Sequence, residues 1–320
     1  MNAIKIWTPD QVTINDYNRE ASASRFGTIK ELGDTVQTLV MTQDKSYTFA
    51  IDEGNAGEQF NIKHCNAMLK QVWDEQVTPD IDQYRLGVWA KGAGLTEAAT
   101  AALTEDTVLK ALLTAHAAMS NKRVPKGSAR VTFISETLAI ATKLATKLQS
   151  NENYTTKAIL NGQIGQINGS PIVAVPDDLM PAGVDFMIKY RGATVDPVKR
   201  KVLRVQTHPV GFDADVGEGR YIHDAFVLDQ KINGIYVHAT SGMTVMPTVT
   251  IAPGGEVTLA AAGSEGIKYT LDGTNPKTSA TAQVYSSSGK PNAPKGTVVK
   301  AYAYKSGQMD SGVSEATSAG

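Results

Sequence analysis

The chain has 320 residues, 42% of them hydrophobic, which is long enough for one substantial core and a smaller module. Its 31 lysines and arginines and 32 aspartates and glutamates leave a formal charge of -1 and a pI near 6.5, so it is not a general phosphate-neutralising nucleic-acid binder. The single cysteine, Cys65, excludes an intramolecular disulfide and a Cys-rich zinc site, and it suits folding in a reducing compartment.

The first ten residues lack the basic-then-apolar run of a secretory signal, so export by that route is not expected. The most apolar stretch, Ala98 to Met119, is broken by Glu105, Asp106, Lys110 and His116 and does not read as a membrane span. Residues 36–51 alternate, with Val36, Thr38 and Val40 on one arm and Tyr47, Phe49 and Ile51 on the other, around a polar stretch from Gln43 to Ser46 that includes Lys45. This pattern predicts a long β-hairpin. Leu39 and Met41 at the opposite parity make both faces apolar, and a lone two-stranded ribbon is marginal in water, so it needs another surface to lie on.

Asn55 and Glu58 resemble a capping box, after which Ile62, Cys65, Leu69 and Val72 mark the buried face of a long amphipathic helix widened by Met68 and Trp73. Thr78-Pro79 predicts a kink or a fresh N-terminus, with Ile81, Tyr84 and Val88 continuing the face. A Gly-rich loop, Gly92 to Thr96, precedes a helix with Val108, Leu112, Ala115 and Met119 on one side. Val131 to Ile134 reads as a strand. Ser135 caps a helix running through Leu138 and Ala141 to Leu148, and Ile164–Ile167, Ile172–Val175 and Phe186–Ile188 read as further strands. Tyr221–Leu228 and Ile235–His238 are two closing strands joined by the turn Asp229–Gly234. Past Gly242–Pro247, Trp, Phe and Arg vanish and short β-type runs separate turn residues. The expected organisation is an α+β body, 1–244, followed by an all-β module, 245–320.

The order of these elements is similar to the Hong Kong 97-type fold of tailed-phage major capsid proteins. The phrases Phe49-Ala50-Ile51-Asp52, Glu75 through Arg85, Ile167-Asn168-Gly169-Ser170-Pro171-Ile172-Val173 and Val175-Pro176-Asp177 carry the resemblance over roughly residues 30–240. It implies an N-arm at 1–34 and an extended loop at 35–55. A peripheral domain with a spine helix at 56–120, an axial domain at 121–215 and returning strands at 216–244 would follow. Under it the extended loop, with Val36, Thr38, Val40, Lys45, Tyr47, Phe49 and Ile51, would lie across a neighbouring subunit. The tail resembles the immunoglobulin-like C-terminal module of chitobiase-type hexosaminidases through Ile267 to Pro276 and Val299 to Ala303, with Gly307, Ser311 and Val313. Asp272, Gly273, Asn275 and Pro276 form its turn signature, and a small β-sandwich is implied.

No residue set reads as catalytic, cofactor-binding or metal-ligating. The five histidines, His64, His116, His208, His223 and His238, lack an HExxH spacing. Gly162, Gly165 and Gly169 miss the dinucleotide fingerprint. Asp213, Asp215 and Asp224 imitate a calcium loop, but Glu218 stands where the sharp turn requires glycine. Asp80 and Asp82 read as first-turn acids favourable to a helix dipole. Lys199, Arg200 and Lys201 read as a solvated strand turn rather than a DNA contact. Some shells of this fold are welded through a lysine, and Lys45 sits where such a lysine would, but no covalent link is expected.

The resemblances thus imply a non-enzymatic virion component without cofactors, assembled in a bacterial host's cytoplasm into hexamers and pentamers around double-stranded DNA touched by weak local contacts. A separate scaffolding protein and a portal are implied partners, weak glycan binding by an exterior module is an expectation by analogy, and no membrane partner is expected. The alternatives are an encapsulin-like compartment shell and, in a different class, a carbohydrate-binding or glycosidase-associated protein.

Overall fold

In chain order the strands and helices are β1 (Ala3–Pro9), β2 (Asp34–Val40), β3 (Gln43–Asp52), α1 (Cys65–Val72), α2 (Thr78–Lys91), β4 (Leu95–Ala98), α3 (Glu105–Asn121), β5 (Arg130–Ser135) and α4 (Glu136–Leu144). There follow β6 (Gln163–Ile167), β7 (Ser170–Val175), β8 (Val184–Tyr190), β9 (Thr194–Val195), β10 (Val198–Thr207), β11 (Ala214–His223), β12 (Phe226–Val227) and β13 (Ile235–Ala239). The last six are β14 (Thr248–Ile251), β15 (Val257–Ala260), β16 (Gly266–Thr270), β17 (Gln283–Val284), β18 (Val298–Tyr304) and β19 (Ser314–Thr317). This computed structural model describes residues 3–9, 12, 14–20, 24–29, 31–52, 54, 64–145, 163–211 and 213–319. The chain divides into one unit of residues 1–62 and 198–224 and a second of 63–197 and 225–320.

In the first unit, β1 and β2 form an antiparallel ribbon, while β3 is the third strand of a sheet ordered β10-β11-β3. The hairpin expected over 36–51 is therefore not formed: its two arms are strands, but each pairs elsewhere. Two features explain this. Thr42, in the short link, donates its backbone N–H to Asp224 Oδ2 at 2.7 Å, tying the link to the end of β11 instead of letting it turn. The supposed tip Gln43–Ser46 is strand, with Lys45 opposite Tyr221 and Ser46 opposite Arg220. Tyr47 and Phe49 then lie opposite Gly219 and Gly217, where a Cβ would stand 2.3 Å and 2.5 Å from their rings. Glycines with no side chain to displace let the aromatic rings lie flat across β11, a pairing β2 does not offer.

The second unit is built on a six-stranded mixed sheet ordered β4-β13-β8-β5-β7-β6 with helices on both faces. Alternation along β8 distributes its side chains: Phe186 and Ile188 pack with Val108, Leu112, Ala115 and Met119 of α3 and Leu138 of α4, while Met187 packs with Leu86, Trp89 and Ala90 of α2. Strands covered on both sides read as continuous apolar runs, as Val184–Ile188 nearly does. Ser135 caps α4 as its sequence position predicts, its Oγ accepting from Leu138 N–H, and Thr104 and Thr107 form a reciprocal cap on α3.

α1 and α2 are one helical run joined by a π turn, Trp73–Val77. Pro79 has no N–H to give to the carbonyl of Glu75, and the helix widens upstream: Thr78 donates both its N–H and its hydroxyl to Trp73 O. The helix passes through the proline rather than restarting there. Asn55, Glu58, Ile62 and Leu148 lie outside the described residues.

Within the chain the borders between elements differ from those read along the sequence. α3 shares its core with β5, β7 and β8, so residue 120 is no border, and a cut at 215 falls within β11. Lys199–Lys201 are in strand β10, at a bulge between Val198 and Arg200, and not in a turn. The stretch 221–228 is broken between β11 and β12 at the buried Asp224, which accepts from Thr42. Residues 248–317 form the small sandwich, a β14-β15 pair and a β17-β16-β18-β19 sheet closing on Val257, Leu259, Ile267, Tyr269, Val299 and Ala301.

Candidate assembly surface

Within the β1-β2 ribbon, Trp7 stands opposite Val36 and Ala3 opposite Val40, all on one face. Trp7 is 60% exposed, Val36 46% and Val40 57%, whereas Leu39 on the reverse is buried. The connecting segment adds Val12, Ile14, Tyr17, Phe26, Ile29 and Leu32, all exposed. Among the described residues, twelve of the seventeen exposed large hydrophobic side chains belong to this first unit, which is little more than a quarter of the chain. Scattered exposed apolar residues are ordinary; here nine of the twelve lie on one ribbon and its arm, the other three being Val198, Leu203 and Val210.

The three-stranded sheet has two unlike faces. Lys45, Tyr47, Phe49 and Ile51 share one and are half-buried, the rings resting on Gly219 and Gly217, and burial pushes the Tyr47 hydroxyl pKa up. The other face carries opposed charges. Arg220 donates to Asp44 through Nε at 2.9 Å and through a terminal nitrogen at 2.6 Å, and Arg204 pairs with Glu218, which also accepts from Gln206 at 3.3 Å. With Arg204 and Arg220 neutralised this way, the shallow groove they line between Thr48 and Val202 does not present a cationic field.

The structure thus separates the expected loop residues. Val36, Thr38 and Val40 are on the exposed ribbon, while Lys45, Tyr47, Phe49 and Ile51 are on a half-covered sheet face. Of the expected spine face, Cys65 and Leu69 are buried and Val72 is half-buried; Ile62 lies outside the described residues. In the C-terminal module, Gly273 takes φ +73°, and Asp272 accepts from Thr274 N–H, Thr274 Oγ1 and Thr281 Oγ1, which holds its carboxyl below the usual range. Asn275 and Pro276 are buried; Asn275 accepts the Lys277 N–H within its own turn at 3.1 Å and donates through Nδ2 to Asp229 at 2.7 Å.

Trp7, Gly217 and Gly219 were missed from the sequence. The signal for the glycines was the spacing itself: Gly-x-Gly at 217 and 219 matches Tyr-x-Phe at 47 and 49 when the strands run antiparallel. Among the described residues no group of three or more His, Cys, Asp or Glu could hold a metal ion, and no helix is long and apolar enough to cross a membrane.

Comparison with solved structures finds capsids. A chain of Mycobacterium phage Che8 superposes with a TM-score of 0.57 at 18% identity, covering 74% of this chain and 84% of that one. A chain of the cyanophage P-SCSP1u capsid gives 0.55 at 10% identity over 75% and 83%, and one of the mature capsid of bacteriophage PhiM1 gives 0.52 at 11% over 75% and 82%. No curated protein matches the sequence. Residues 247–315 match the chitobiase/beta-hexosaminidase C-terminal domain family. The chain therefore has the Hong Kong 97-type α+β fold of phage capsid proteins, extended by a chitobiase/beta-hexosaminidase C-terminal domain at residues 247–315.

Proposed function

We propose that the chain is a non-enzymatic shell subunit of a phage head that assembles into hexamers and pentamers around double-stranded DNA. The observation that carries the reading is the apolar ribbon: Trp7, Val36 and Val40 face solvent on two strands that are too few to be stable by themselves. A neighbouring copy covers such a face, and closed symmetry repeats the contact many times, so that each can be modest. The capsid fold supports this choice of partner. A separate scaffolding protein, a portal and weak DNA contacts belong to the same reading. The 245–320 module faces outward in it, and the family match favours a second, subordinate role for that module in weak glycan binding.

The test is electron microscopy and sedimentation of the full chain, alone and with its scaffold. Closed shells are expected, and Trp7→Ser with Val36→Ser should reduce them while leaving the circular dichroism of the subunit intact. A chain that stays monomeric at all concentrations overturns the reading. Shells filled with protein cargo instead of DNA favour a compartment of the encapsulin kind. Monomer only is expected on a boiled denaturing gel, since Lys45 lies within β3 rather than at a projecting tip.

A further inference from the structure

The module at 245–320 meets the rest of its unit through a built surface. Its Val313 N–H donates to Gly94 O at 2.8 Å and Gly312 N–H to Thr96 Oγ1 at 2.6 Å, laying the 311–313 segment against the start of β4. That approach requires glycine: a Cβ on Gly312 would stand 2.6 Å from Gly94 O and 2.8 Å from Thr96 N. Gly94 is equally constrained on its other side, where a Cβ would meet the Ile232 carbonyl carbon at 2.7 Å. Beneath these bonds Ile232, Tyr302 and Val313 are buried together, flanked by Val227 and Tyr304.

The turn between β16 and β17 supplies the polar pins. Asn275 Nδ2 and Thr278 Oγ1 both donate to Asp229 Oδ1, each at 2.7 Å. Lys277 Nζ donates to Lys91 O at 2.8 Å and Ala93 O at 3.1 Å, placing a cation on the carbonyl end of α2, where the helix dipole favours it. Burial lowers the Lys277 pKa to about 8, opposed by Asp310. The connection is held too: Thr244 N–H donates to Met309 O at 2.9 Å, and Met309 N–H to Gly242 O at 2.7 Å.

We infer that the C-terminal module is a fixed part of the body, clamped over the C-terminal end of α2 and the start of β4 by its own turn 275–278 and its 311–313 segment, and not a tethered appendage. Its partner is intramolecular, so the inference stands whether or not the chain builds shells. Of the residues that mark the module's turn in sequence, Asn275 therefore serves docking while Asp272 holds the turn itself, and Asn275 and Lys277 are unavailable to an external ligand.

Hydrogen exchange read by mass spectrometry on the full chain tests this. Peptides covering 92–97 and 311–314 should be protected in the wild type. Asn275→Ala combined with Thr278→Val, and separately Lys277→Met, should raise exchange in both peptides at least tenfold and open the 240–247 connection to protease. The module's own 298–303 strand should keep its wild-type rate, which separates undocking from unfolding. Coil-like exchange of 92–97 and 311–314 in the wild type, or unchanged exchange in both variants, overturns the inference; coupled loss of protection in 298–303 also does, because the turn would then hold the sandwich and not the dock.

Discussion

Arg130 is 1% exposed at the start of β5, and among the described residues no carboxylate is one of its hydrogen-bond partners. Its guanidinium instead gathers acceptors from the last turns of α3 and the link after it: Nε donates to Pro125 O at 2.7 Å, and the terminal nitrogens donate to His116 O at 3.0 Å, Val124 O at 2.6 Å and Ser120 Oγ at 3.2 Å. A cation at the carbonyl end of a helix is favourable on the helix dipole, yet burial still drags its pKa down. Arg130→Met fills the volume but removes all four bonds, leaving His116 O with the Ser120 hydroxyl at 2.8 Å and taking the guanidinium donor from Pro125 O and Val124 O. Four bonds from a charged donor, at about 1.5 kcal/mol net each, are offset by roughly half when the guanidinium no longer has to be desolvated. The expected loss is about 3 kcal/mol, a large part of the ~5–15 kcal/mol that a domain possesses. With a slope of ~2–3 kcal/mol per molar urea, the transition of the second unit should move down by about 1 M. Arg130→Lys should recover little, because a point ammonium cannot reach acceptors spread around a planar fork. Urea titration of the unassembled chain, followed by exchange of the α3 and β5 peptides, measures this. A midpoint within ~0.2 M of wild type for Arg130→Met refutes the claim that this residue holds the α3 to β5 connection.

Four further outcomes are expected. Burial, and secondarily Arg130, lower the His116 pKa to about 4; the unfolded chain therefore binds a proton near pH 6.5 that the folded one refuses, and stability should fall by about 2 kcal/mol between pH 6.5 and 5, levelling off below pH 4 at about 3 kcal/mol. His116→Gln should flatten that part of a stability-versus-pH curve. Gly219→Val drives a side chain into Tyr47 and should cost about 1–3 kcal/mol of pairing between β3 and β11, seen as faster exchange over residues 43–52, while Gly289→Ala, with nothing near its Cβ, should be silent. Asp44→Ala removes an exposed pair with Arg220 and should change stability by less than about 1 kcal/mol by chemical denaturation. Leu112→Ala, at a fully buried position between α3 and the sheet, should cost about 2–5 kcal/mol by the same measurement.

What the sequence disclosed follows how local each signal is. The stripe Val108, Leu112, Ala115 and Met119 is written at helical spacing, and all four are fully buried. Ser135 announces its helix from one position away. The partner of β3 is not written nearby. Val36–Val40 and Tyr47–Ile51 are adjacent, alternating and joined by polar residues, so local pattern favours a hairpin; the deciding contacts are with Gly217, Gly219 and Asp224, about 170 residues distant. Asn275 belongs to the module's turn signature in sequence, but nothing around it there points to Asp229 as the group it holds. The π turn escaped for a different reason: Pro79 signals disruption, and the choice between ending the helix and widening it one turn earlier rests on whether Thr78 can share the Trp73 carbonyl.

The two units differ in how fully their polar and apolar groups are satisfied. In the second, buried polar groups are matched at several places: Lys189 meets Asp196 at 3.2 Å while stacked over Trp89, whose indole N–H also donates to Asp196, and a ring nitrogen of His238 lies 2.8 Å from Asp185. Such networks have one good arrangement and resist deformation. The first unit holds few comparable networks among its described residues and leaves its apolar ribbon and arm open. A segment with weak register and unspent apolar area can adjust to small changes in a neighbour's position, whereas a block fixed by buried hydrogen bonds cannot. It follows that substitutions in the second unit should act mainly on subunit stability, and substitutions at Trp7, Val36 and Val40 mainly on association. Measuring both quantities on Leu112→Ala and Val40→Ser decides the matter: equal effects of the two variants on the monomer's unfolding midpoint would mean that the ribbon is part of the subunit's own core.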